Sequence, residues 1–84
     1  MKKNEVYILL EEFEDRWAIR ETNILGVYTC MTKAKKALRK ARKEDSTGLF
    51  KENGFEYKDD THSKSEYVDG NGFVNLYIAV REVI

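Results

Sequence analysis

The last twelve residues, FVNLYIAVREVI, decide more about the architecture than any other stretch. At a period of two, Val74, Leu76, Ile78, Val80 and Ile84 fall on one side of a strand. Phe73, Asn75, Tyr77, Ala79, Arg81 and Val83 fall on the other. The first side is apolar but for Glu82 near its end and the second is mixed and half-wet, the pattern of a sheet covered on a single face. A strand this long belongs in the middle of its sheet. Asn71-Gly72 just ahead of it is a favourable hairpin turn and makes Tyr67-Val68 the partner strand.

The opening residues supply further strands. Residues 6–10 (VYILL) form a short apolar run without helical spacing. Residues 17–22 (WAIRET) alternate weakly, and residues 24–29 (ILGVYT) are β-branched and aromatic. They read as one strand broken at Asn23 or as two, and Glu14-Asp15 is the expected hairpin turn. Gly26 inside this strand predicts a bulge or a close backbone approach.

Next comes KAKKALRKARK, residues 33–43, which holds seven of the fifteen Lys and Arg residues. At 100° per residue Ala34, Ala37, Leu38 and Ala41 share an arc of about 100°, the width of a core-facing stripe. The basic residues fill the opposite half. The spacing predicts a helix over about residues 33–44, with Thr32 or Thr29 as N-cap.

Ser46-Thr47-Gly48 ends it, and from about 46 to 66 the chain reads as polar and irregular, with Gly48, Asn53-Gly54 and KDDTHSKSE marking turns or a mobile loop. Phe50, Phe55 and Tyr57 are its apolar anchors, with a short strand admitted near 55–58. The order β-β-α-(β)-β-β is that of an α+β fold: a two-layer sandwich of an antiparallel sheet of three to five strands and one amphipathic helix, in one domain spanning 1–84. The far sheet face then lacks cover unless the 46–66 segment folds over it through Phe50 and Phe55.

Composition narrows the functions. Fifteen Lys/Arg balance fifteen Asp/Glu, so the basic excess of a dedicated nucleic-acid binder is absent. Cys30 is the one cysteine, which excludes an internal disulfide and suits a reducing compartment. VYILL is too short for a signal-peptide core, and no stretch reaches the roughly 20 apolar residues of a membrane span. The expected location is the cytoplasm.

Candidate chemistry is sparse. Glu11, Glu12, Glu14 and Asp15 have no histidine beside them and read as a solvated hairpin tip. Cys30 and His62 form a nucleophile pair only if the fold brings them together. Asp69-Gly70-Asn71-Gly72 starts like a calcium loop, but Phe73, Val74 and Val80 then stand where an oxygen ligand, a glycine and a glutamate are required. We therefore expect no catalytic residue, metal or cofactor. Tyr7, Trp17, Tyr28, Phe73 and Tyr77 all fall on expected strands, and those left on an uncovered face suit protein contact or dimer formation.

VYILLEEFE, ILGVYTCMTKAKKAL and the terminal FVNLYIAVREV together resemble a class of small uncharacterised proteins of bacteria and their phages. In that class a V-Y-hydrophobic strand, a G-V-Y/F strand, a K-A-x-x-A-L helix and a late Y-I strand follow one another. The resemblance covers about two-thirds of the chain and omits residues 46–66. It implies a ββαβ-type domain in a host-cell or phage setting, with no established chemistry.

The expectation is a non-enzymatic binding protein acting through protein–protein contact, as a phage or mobile-element accessory or inhibitor protein, self-association included. Its candidate surfaces are Lys36, Arg39, Lys40 and Lys43 on the helix, with Trp17 and Tyr77 among the sheet aromatics. The alternative is a nucleic-acid-binding accessory protein using residues 33–43, whose lysines and arginines would neutralise phosphates. Against that alternative, the helix has no aromatic for stacking and no Asn or Gln to read base edges.

Overall fold

Every long element follows from the apolar alternation, and a computed structural model describes residues 4–15, 17, 19–55, 57–66 and 72–83. The chain runs β1 (Glu5–Glu14), β2 (Arg20–Tyr28), α1 (Met31–Glu44), α2 (Leu49–Asn53), β3 (Tyr57–Lys58), β4 (His62–Glu66) and β5 (Phe73–Glu82). It is an α+β fold with an open antiparallel sheet in the order β2-β1-β5-β4-β3 and two helices. The closing strand β5 is central, as its pattern predicts.

β1 is longer than VYILL. It pairs with β5 from Glu5↔Glu82 to Glu14↔Phe73 and with β2 from Tyr7↔Tyr28 to Glu14↔Arg20. The acidic residues therefore lie within the strand, and only Asp15 belongs to the turn. That turn closes on itself: Asp15 Oδ1 accepts hydrogen bonds from the backbone N–H of Trp17 at 2.9 Å and of Ile19 at 3.0 Å. Consequently Trp17 sits in the turn, not on a strand.

β2 is continuous through Asn23. Leu9 pairs with Gly26 while Leu10 pairs with Ile24, so Leu25 is the extra residue of a bulge. Gly26 also sits under the Tyr28 ring, where a Cβ would fall 2.7 Å from Tyr28 Cζ. The bulge expected here is present, and what approaches the glycine is the Tyr28 side chain.

α1 begins two residues earlier than its spacing suggests. Cys30 is the N-cap, with φ −136° and ψ 130°, and the Cys30 carbonyl already accepts from Ala34 N–H at 3.1 Å. Neither Thr29 nor Thr32 caps it, because burial of Ala34 and Leu38 fixes where the helix lies. Those two residues are fully buried, with Ala37 and Ala41 packed beside them.

The segment after α1 forms a short helix and two strands, where its composition suggests turns or loop with one short strand. Asp45 takes a left-handed conformation (φ 50°) and turns the chain. Its carboxylate then accepts from Phe50 N–H at 3.2 Å and Lys51 N–H at 2.9 Å, starting α2. Leu49 and Phe50 of α2 enter the same core as Leu9, Leu38, Val74 and Leu76. Each fully buried Leu contributes about 2 kcal/mol by transfer from water. β4 pairs with β5 from His62↔Tyr77 to Glu66↔Phe73. Its inward residues are serines, which disguised the strand. Ser65 Oγ donates to the Leu49 carbonyl at 3.2 Å, and Ser63 Oγ accepts from Arg42 at 3.1 Å.

The 46–66 segment thus joins the helix layer and extends the sheet, leaving the far face uncovered among the described residues. The expected strand at Tyr67-Val68 and the turn at Asn71 lie outside the described residues, as does Ile84. Val80, expected inward, is 41 % exposed. A fourteen-residue helix is about 21 Å long and a ten-residue strand about 33 Å, so β5 runs past its cover.

Candidate functional site

Two surfaces, on opposite sides of the sheet, carry the unusual features. The first is the outer side of α1. Lys36, Arg39, Lys40 and Lys43 are all exposed there, because the buried Ala34/Leu38 stripe turns them outward. Ion pairing on this side is light: Arg39 lies 3.9 Å from Asp60, and Lys40 4.0 Å from Glu44. Both pairs are solvent-exposed and hold these side chains weakly.

Arg42 does not belong to that surface, although the helical spacing counts it with the outer seven. Its guanidinium donates to the Asp59 carbonyl at 3.2 Å as well as to Ser63 Oγ. It also lies 5.9 Å from the centre of the Phe55 ring, which stacks on Phe50 at 4.8 Å. An arginine at the border of the apolar arc, beside a chain segment rich in carbonyls, is drawn into structure. Helical spacing alone does not carry that information.

The second surface is the far side of the sheet. Alternation places Ile8 and Leu10 of β1, Ile24 and Val27 of β2, and Tyr77 and Ala79 of β5 together there. Ile24 is 67 % and Val27 57 % exposed. Tyr77 is half-buried and meets His62 edge-on at 6.4 Å between ring centroids. His62 Nε2–H donates to Asn75 Oδ1. Beside them opens a hollow of about 390 Å³ lined by Glu12, Thr61, His62, Asn75, Tyr77 and Ile78.

One end of this face is closed by its own charges. Arg20 pairs with Glu14 at 3.3 Å and Lys64 with Glu66 at 3.1 Å. Arg20 and Lys64 also stand 5.5 and 5.3 Å from the centre of the Phe73 ring.

The six candidate residues do not form one site. Lys36, Arg39, Lys40 and Lys43 share the helix face, Tyr77 lies on the opposite side of the sheet, and Trp17 stands at the hairpin tip, 83 % exposed. Nor do the acidic residues cluster, since the period of two splits them. Glu11, on the helix side, accepts from Ser46 Oγ at 2.9 Å, while Glu12 and Glu14 are on the far side. Among the described residues no three His, Cys, Asp or Glu side chains converge as metal ligands.

Cys30 follows the edge strand β2, whereas His62 is on β4, three strands across the sheet. They form no pair. Backbone N–H groups of Lys33 and Thr32, and then the Thr32 hydroxyl, hold the Cys30 thiol below its ordinary value.

Among the described residues no helix is long and apolar enough to cross a membrane. No family model, curated protein or solved structure matches this chain.

Proposed function

We propose that this is a non-enzymatic binding protein that docks an acidic surface of a partner protein on the outer face of α1. The observation that carries this reading is the one-signed face itself. Lys36, Arg39, Lys40 and Lys43 stand exposed on one side of a chain whose net charge is zero. Charge so segregated steers a complementary partner and favours its approach. The margin of the face is mixed, with Glu44 and Asp60 beside Lys40 and Arg39. A mixed margin suits a protein surface better than a continuous row of phosphates. The resemblance to small bacterial and phage proteins fits an accessory or inhibitor role, and the single exposed thiol suits the reducing conditions of the cytoplasm.

The test compares the native chain with a variant carrying Lys36→Glu, Arg39→Glu, Lys40→Glu and Lys43→Glu. Polyglutamate serves as the acidic probe, and duplex and single-stranded DNA as the alternative, each titrated in salt. The native chain binds polyglutamate, the variant does not, and DNA shows no preference over it. DNA binding that survives physiological salt and disappears in the variant replaces this reading with the nucleic-acid one.

A further inference from the structure

We infer that the far face of the sheet is a self-association surface, on which a second copy of this chain packs face to face about a two-fold axis. The inference goes beyond the acidic-partner reading and does not depend on it.

Size is the first argument. β1 and β5 are ten residues each, about 33 Å long, and four strands at 4.8 Å spacing are about 19 Å wide. With β2 and β4 shorter, the face projects to about 550 Å² per copy, or about 1,100 Å² for two. That clears the roughly 1,000 Å² expected of a specific interface.

Charge selects the arrangement. Two charged side chains of this face lack an ion pair among the described residues. The Glu12 carboxylate has neither an ion pair nor a hydrogen bond there, and Arg81 donates only to the neighbouring Val80 carbonyl. They lie at opposite ends: Glu12 is level with Asn75, and Arg81 is level with Val6. Six residues of strand, about 20 Å, separate the two levels. An axis perpendicular to the strands at the level of Ile78 therefore brings Glu12 of each copy towards Arg81 of the other. Between these two ion pairs, Ile8 faces Leu10, Ile24 faces Val27 and Tyr77 faces Ala79 of the other copy. Such a contact is isologous and closed, so it stops at two copies. An axis parallel to the strands instead keeps Arg81 at its own level beside Val6, where this face carries no carboxylate among the described residues.

In the resulting four-layer assembly the helices lie outside. The two basic faces point in opposite directions, with helix axes about 30 Å apart at roughly 10 Å per layer.

Light scattering and sedimentation equilibrium over a concentration series test the inference. The expected species has twice the 9.9 kDa chain mass. Ile24→Lys with Val27→Lys alters exposed side chains only, so the variant stays folded by circular dichroism and becomes monomeric. Glu12→Arg alone weakens the dimer at least tenfold, and adding Arg81→Glu restores it. A native chain that remains monomeric at millimolar concentration overturns the inference. So does a dimer that persists unchanged in the Ile24/Val27 variant, which would place the contact elsewhere, the β2 edge included.

Discussion

The guanidinium of Arg42 on α1 donates to Ser63 Oγ on β4 at 3.1 Å, tying the helix to the far half of the sheet. Its second bond, to the Asp59 carbonyl at 3.2 Å, fixes the chain just ahead of β4. Hydrogen bonds from a charged donor contribute about 1.5–3 kcal/mol when partly buried. Arg42→Ala should therefore cost about 2 kcal/mol, read as a lower urea midpoint with an unchanged slope. Arg42→Lys keeps one of the two bonds and falls between. Lys43→Ala, one position along on the exposed face, should stay within about 0.5 kcal/mol. Equal effects at 42 and 43 would return Arg42 to the solvated set.

Leu49 carries the same test to α2. It is fully buried against the sheet, with its carbonyl held by Ser65. Leu49→Ala leaves a cavity and should cost about 2–5 kcal/mol, a large share of what a chain of 84 residues possesses. Thermal unfolding followed by circular dichroism measures it. A change below 0.5 kcal/mol means that residues 46–66 are the loose loop their composition suggests.

Leu49 and its partner strand mark where a single sequence stops being readable. β5 and α1 each repeat one period long enough to fix both element type and inward face, and the inward residues Val74, Leu76, Ala34 and Leu38 are buried as that period requires. β4 has the same period, but its inward positions are Ser63 and Ser65, whose polarity is satisfied by Arg42, the Asp59 carbonyl and the Leu49 carbonyl. Arg42 and Leu49 are distant in sequence, so the strand reads as loop. Likewise the left-handed Asp45 caps α2 through contacts that no short-range rule on Gly or Pro detects. The outward lysines were legible because helical spacing alone exposes them. The uncovered face depended on the path of residues 46–66, which periodicity leaves open.

Cys30 yields a prediction in pH. Donors from Lys33 N–H, Thr32 N–H and the Thr32 hydroxyl favour the thiolate, so the thiol ionises at lower pH than a free cysteine. The rate of alkylation by iodoacetamide should rise through its midpoint below that of glutathione measured alongside. Thr32→Val removes the hydroxyl donor but leaves both backbone donors, so its midpoint should move up partway and not the whole distance. Coincident profiles for protein and glutathione would show that these N–H groups do not reach the sulfur in solution.

Gly26 and Tyr28 make a coupled pair. A Cβ at position 26 would stand 2.7 Å from Tyr28 Cζ and 2.8 Å from Cε2, so Gly26→Ala forces the ring away from the core beside Leu9 and Ala37. The displaced packing should cost about 1–2 kcal/mol. The glycine's own backbone demands nothing unusual here, since its φ is not left-handed; the obstacle is the ring alone. In a Tyr28→Ala background that obstacle is gone, and alanine then outdoes glycine in a strand by roughly 0.5 kcal/mol. The double-mutant cycle should show Gly26→Ala changing sign between the two backgrounds, with a coupling of about 2 kcal/mol. Additive losses would mean that Gly26 serves the Leu25 bulge directly and not the seating of Tyr28.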